Sequence, residues 1–79
     1  MLRAEGVRAG VPDVMLAVRR GQWGGLFVEL KRADRSNHAT PQQLTWLANL
    51  RRYGYMAVVA YGANEAINVI TTYLDGGNE

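Results

Sequence analysis

The stretch Gly25-Leu26-Phe27-Val28-Glu29-Leu30-Lys31, read with Pro12-Asp13 upstream, decides the fold. Residues two apart on a strand share a face, so Leu26, Val28 and Leu30 form one apolar face and Phe27, Glu29 and Lys31 the other. The pattern predicts a buried strand carrying a carboxylate and an ammonium where a core strand should carry neither. Such groups are costly to desolvate unless paired or bound to a metal. Chemistry on phosphate is the reading that justifies them.

Working outward, Asp13-Val14-Met15-Leu16-Ala17-Val18 predicts a preceding strand, and the glycine-rich Arg19 to Gly25 segment, with Trp23, predicts a hairpin turn. The first two strands are therefore antiparallel neighbours. Upstream, Met1 to Glu5 fits the last turn of a helix stopped by Gly6, and Gly6 to Pro12 reads as a loop. Downstream, Arg32 to Ala39 is polar and loop-like. Thr40 is a good N-cap, Pro41 suits the first helical position, and Gln43 completes a capping box. Leu44, Trp46, Leu47, Ala48 and Leu50 give this helix a broad apolar stripe, Arg51 and Arg52 suit its last turn, and Gly54 is the expected C′ residue. Tyr55 to Tyr61 runs without a charge, as an interior parallel strand does, so strand, helix and strand make a right-handed crossover. A second helix follows Gly62, with Asn64 as a possible cap and Ala66, Ile67, Ile70, Tyr73 and Leu74 along one side; Asp75 to Glu79 should fray.

Seventy-nine residues make a single domain, 1–79, of a size that buries only about 60% of its unfolded surface. Hydrophobic residues at 48% and charged residues at 20% describe a globular chain rather than a disordered one. With no cysteine, neither disulfides nor thiolate zinc sites can supplement the core, which fits a reducing compartment. No apolar run approaches the ~20 residues of a membrane helix, and Met1 to Arg8 lack the apolar core of a signal peptide. The net charge is only +2, yet the arginines cluster as Arg19-Arg20, Arg32 with Arg35, and Arg51-Arg52. Arginine suits phosphate because its planar fork donates two hydrogen bonds at once. For Arg19, Arg20, Arg32 and Arg35, expected to flank the site, phosphate contact and plain solvation both remain open; the helix end accounts for Arg51 and Arg52.

If the first two strands pair, Asp13 can meet Glu29 and Lys31. Phosphodiester hydrolysis calls for a divalent cation that lowers the pKa of a water and neutralises phosphate charge, and oxygen ligands suit Mg²⁺ or Mn²⁺. A nearby lysine can hold the attacking water or stabilise developing charge, and the peptide carbonyl between Glu29 and Lys31 can add a neutral ligand. An E-x-K alone is equally met by an ion pair on an edge strand. The preceding proline-aspartate and the glutamine in the next helix narrow the choice.

Those four segments together, Gly10-Val11-Pro12-Asp13-Val14-Met15-Leu16, Gly25 to Lys31, Thr40-Pro41-Gln42-Gln43-Leu44-Thr45-Trp46-Leu47 and Gly54-Tyr55, resemble the VRR-NUC domain, the virus-type replication and repair nuclease branch of the PD-(D/E)XK superfamily. The likeness runs from roughly Ala4 to Leu74. It implies an α/β fold, a restriction-endonuclease-like mixed sheet flanked by helices, with Asp13 and Glu29 as metal ligands and the Leu30 carbonyl as a third. It further implies Lys31 as the catalytic lysine and Gln43 as support for the site and the lysine. The cofactor implied is Mg²⁺ or Mn²⁺. The activity implied is endonucleolytic cleavage of branched DNA, notably four-way junctions, by a homodimer in the cytoplasm of a bacterial or phage-infected cell. Family members carry an N-terminal helix, often with a glutamate in the metal site. Only Met1 to Glu5 precede the motif here, and Glu5, so close to Asp13, is not assigned that role, so a reduced N-terminus is expected.

Two other classes remain open at this point: a DNA-binding module of the same fold without catalysis, and a structural or protein-interaction domain with no salt-dependent affinity for DNA. Among the residues outside the motifs, His38 is expected to be solvated in its loop. Trp46 and the tyrosines are expected in the core or a dimer surface, and Trp23 over the sheet, with stacking on DNA as its alternative.

Overall fold

In a computed structural model, residues 11–76 form three strands and two helices. Strand β1 spans Val14–Leu16, β2 Leu26–Lys31 and β3 Met56–Tyr61; helix α1 spans Pro41–Arg52 and α2 Ala63–Leu74. The sheet order is β1-β2-β3, with β2 antiparallel to β1 and parallel to β3. This is the mixed α/β sheet flanked by helices that the sequence leads one to expect.

The alternation along β2 sorts the core into two layers. Leu26 and Val28 pack beneath α2 with Ala60, Ala66 and Tyr73. Phe27 packs beneath α1 with Leu47, Leu50 and Ala57. Tyr73, fully buried, donates its hydroxyl hydrogen to the Val18 carbonyl at 2.6 Å and so satisfies the polar end of an otherwise apolar ring. Trp23 also packs against the α2-side core, as expected.

Helix α1 starts and stops where its sequence says it should. Thr40 accepts from the Gln43 N–H, Gln43 Oε1 accepts from the Thr40 N–H, and Pro41 opens the helix. Gly54, just past the C-cap Tyr53, takes the left-handed φ of 94°.

Other expectations need correction. Strand β1 is three residues long rather than running from Asp13 to Val18, because the chain turns off into a tip closed by the Arg20–Trp23 bridge. Among the described residues β3 lies at a sheet edge, not inside; its apolar character comes from a helix on each face. Gly62, not Asn64, is the N-cap of α2, and no side chain caps it. Leu44 and Ala48 of α1, and Ile67 and Leu74 of α2, are exposed, whereas Val69 packs inward. Ile67 borders an open groove of about 430 Å³ between α2 and the β1-β2 edge, lined also by Val14, Val28, Leu30 and Ile70. The expectations for residues 1–10, including the helical turn, Glu5 and the reduced N-terminus, and for residues 77–79 lie outside the described residues.

Candidate active site

Antiparallel pairing sets Val14 opposite Val28 and Leu16 opposite Leu26. Asp13 stands at the bend just before β1, one residue beyond the Val14–Val28 pair, and its carboxylate is near enough to Glu29 to act on its charge. Asp13 is fixed by the Leu30 N–H, which donates to its Oδ2 at 2.9 Å.

Were the ladder to run on beyond Val14–Val28, Pro12 would face Leu30. In a hydrogen-bonded antiparallel pair each residue offers both its N–H and its C=O to the partner. Proline has no N–H, so it cannot supply a ladder donor for the Leu30 carbonyl. The Leu30 N–H turns to the Asp13 carboxylate instead. The proline-aspartate pair thus presents a carboxylate near Glu29 and offers no proline N–H to the Leu30 carbonyl.

Glu29 is buried, with 3% of its surface exposed. Its Oε2 accepts from Gln43 Nε2 at 2.7 Å and lies 3.5 Å from Lys31 Nζ, which is itself only 12% exposed. Its Oε1 is buried and has no hydrogen-bond partner among the described residues. Burial pushes the Glu29 pKa up, the Asp13 carboxylate pushes it further up, and Lys31 opposes both. Gln43 joins helix and site: its Oε1 is occupied by the Thr40 N–H, which leaves Nε2 as the end that donates to Glu29. Gln43 therefore holds the carboxylate. Its amide contacts Glu29 rather than the Lys31 ammonium.

These features fit a divalent cation. A buried carboxylate oxygen without a donor among the described residues, a second carboxylate near it and the Leu30 carbonyl form a hard, all-oxygen donor set, the kind Mg²⁺ or Mn²⁺ takes. Among the described residues no group of three or more His, Cys, Asp or Glu side chains gathers anywhere, so the carboxylates here are a pair. Mg²⁺ is commonly held by one or two carboxylates, with water completing its shell.

The four arginines expected around the site divide. Arg32 and Arg35 follow Lys31 directly and lie at the carboxylate end of the sheet. Arg19 and Arg20 leave β1 at the opposite end, past the Leu16–Leu26 pair, so they do not flank the carboxylates. Antiparallel geometry sends a hairpin turn away from the residues that precede its first strand. Arg20 instead donates from Nε to the Leu74 carbonyl at 2.9 Å, closing the C-terminal end of α2. Arg32 Nε is 3.7 Å from Asp34 Oδ1, an exposed pair. Arg35 lies over the Tyr61 ring, 4.2 Å from its centroid, and pairs with Glu65. Reading the sequence missed Tyr61, Glu65 and the part played by Pro12. Alternation along β3 carried a signal for Tyr61: it sits beside Lys31 in register, on the face where Ala57 and Val59 meet α1.

Comparison with known proteins bears on the family and the fold. The VRR-NUC domain family profile matches residues 2–64. A solved structure described as a VRR-NUC domain protein superposes with a TM-score of 0.85 at 40% identity over 92% of this chain. The chain spans 59% of that protein's length. No curated protein matches the chain.

Proposed function

We infer the function from one premise: the chain belongs to the VRR-NUC domain family, a nuclease-type domain that processes DNA. We propose that it is a Mg²⁺- or Mn²⁺-dependent endonuclease that hydrolyses phosphodiester bonds in branched DNA, including four-way junctions. The observation that carries this reading is the buried Oε1 of Glu29, which has no donor among the described residues, with Lys31 on its other oxygen.

Asp13, Glu29 and the Leu30 carbonyl are the groups that would hold the cation. When bound, such an ion supplies charge neutralisation at the phosphate and an acidified water. The chain's own residues do the rest. Gln43 holds Glu29 through Oε2. Lys31, anchored 3.5 Å from the same oxygen, presents its ammonium where it can orient the attacking water and stabilise charge developing on the phosphate. Burial of both side chains strengthens these interactions relative to water.

We further propose that two copies act together, because a domain this small gains from burying more apolar area and a two-fold pair matches the symmetry of a junction. Arg32 and Arg35 would contact the strand being cut. Arg19 and Arg20, at the other end of the sheet, would meet only DNA that runs past the site. The working location is the cytoplasm of a bacterial or phage-infected cell. No helix among the described residues is long and apolar enough to cross a membrane.

The test is cleavage of flaps, duplexes and four-way junctions by the purified protein with Mg²⁺ or Mn²⁺. Cleavage that Lys31→Ala abolishes while DNA binding persists supports the enzyme. Binding without cleavage at any metal concentration would instead leave a DNA-binding module, and no salt-dependent affinity would remove both readings.

A further inference from the structure

The loop between β2 and α1 holds one residue in an unfavourable conformation. Arg35 has φ of 59°, the only positive φ outside glycine among the described residues. Arginine enters that region rarely, unlike asparagine or aspartate. Its backbone is held there by a turn in which the Arg35 N–H donates to the Arg32 carbonyl at 3.0 Å. Its side chain is held by two further groups. The guanidinium stacks on the Tyr61 ring, and one nitrogen lies 3.3 Å from Glu65 Oε2. Glu65 is itself tied down, because its Oε1 accepts from the Tyr61 N–H at 2.7 Å.

Stability does not account for this arrangement. An exposed ion pair and an exposed cation–π contact each return little, and the strained backbone offsets what they return. What the cradle does provide is direction. The guanidinium plane is fixed, its other N–H groups make no hydrogen bond among the described residues, and the side chain stays 60% exposed. Tyr61 pairs in register with Lys31, one strand spacing away, so the fork is held beside the lysine that faces the reaction.

We propose that Tyr61 and Glu65 form a cradle that presents Arg35 as a phosphate clamp, gripping the nucleic-acid backbone phosphate next to the one being cut. This rests on the DNA-processing reading above and adds to it a positioning residue and the side chains that set it. A pre-set planar fork binds phosphate bidentately while losing little further side-chain freedom.

The experiment measures affinity for a labelled four-way junction across a series of NaCl concentrations, in a Lys31→Ala background that cannot cut. Arg35→Gly is expected to weaken binding about tenfold near 0.1 M salt and to lower the slope of log affinity against log salt by about one, as loss of one phosphate contact does. Its Tm should stay level or rise, because glycine relieves the backbone. Arg35→Lys keeps the charge, so it should keep the slope yet lose affinity, while Tyr61→Phe keeps the ring and should bind like its parent. An unchanged slope and affinity in Arg35→Gly overturns the clamp. So does a lowered Tm with the slope intact, which would assign Arg35 to the fold. If the Lys31→Ala parent itself shows no salt-dependent binding, the DNA-processing reading falls, and the clamp with it.

Discussion

Glu29→Gln is expected to make the metal-free protein more stable at neutral pH. The substitution preserves the shape of the side chain. The amide oxygen can still accept from Gln43 Nε2, and the amide nitrogen can replace the donorless Oε1 and donate towards Asp13. Three electrostatic changes accompany it. A buried charge disappears, its repulsion with Asp13 disappears, and its attraction to Lys31 at 3.5 Å is lost. Burial is the largest influence on Glu29, and the net effect raises its pKa above the ordinary 4.5, so the ionised carboxylate is a burden on the folded state. Desolvating an ion costs several kcal/mol, and the Lys31 pairing offsets much of that, leaving about 1–2 kcal/mol to be recovered. For a domain of this size each kcal/mol moves Tm by roughly 4–8 °C.

The sign follows from linkage. A group whose folded pKa is raised contributes stability that is complete below its unfolded pKa and is lost as pH rises through the folded value. Wild type and Glu29→Gln should therefore melt nearly together at pH 4 and diverge at pH 7.5 in EDTA, with the variant higher. Adding Mn²⁺ should reverse the order. At a hundredfold excess over Kd a ligand stabilises by about 2.7 kcal/mol, and the neutral side chain forfeits most of that. Thermal melts followed by circular dichroism across pH, with and without Mn²⁺, test each part. A variant that melts below wild type in EDTA at pH 7.5, or a difference that does not depend on pH, would show that Glu29 is already compensated within the chain and would remove the argument for a cation beside it.

Three other substitutions probe the supports of the site. Pro12→Ala supplies an N–H opposite the Leu30 carbonyl, and Mn²⁺ affinity measured calorimetrically should fall on the order of tenfold, as when a supporting group of a metal site is lost; unchanged affinity would free Leu30 from any part in binding. Gln43→Ala removes a donor to Glu29 and half of the capping box at Thr40, and should cost about 1–2 kcal/mol by urea titration. That loss should be larger at pH 7.5 than at pH 4, because the missing bond favours the ionised carboxylate. Gly62→Ala should cost about 1–3 kcal/mol, since Gly62 has φ of 87° and an added Cβ would stand 2.7 Å from the Ala33 Cβ. Because Ala33 lies in the loop that carries Arg35, DNA affinity should fall with it, and a variant of wild-type stability would contradict the close approach.

Much of this protein was legible in its sequence because the deciding signals are local. Alternation along Leu26 to Lys31 assigned Glu29 and Lys31 to one face, and the Thr40–Gln43 box marked the first turn of α1; both depend on residues within a few positions of one another. The set Asp13, Glu29, Lys31 and Gln43 could likewise be named from its motifs, and the pairing of β1 with β2 followed from the hairpin between them. Tertiary structure decided the rest, because those features depend on groups far apart in the chain. A helix's apolar stripe is wider than the surface that covers it, so only docking onto the sheet could leave Leu44 and Ile67 outside and bring Val69 in. The direction of the hairpin, not its composition, carried Arg19 and Arg20 away from the carboxylates. The donorless oxygen of Glu29 and the stacking of Arg35 on a tyrosine 26 positions later exist only once β2, β3 and the intervening loop share one surface. Burial and long-range juxtaposition are properties of the packed chain, and they are what turn a recognisable set of residues into a candidate site.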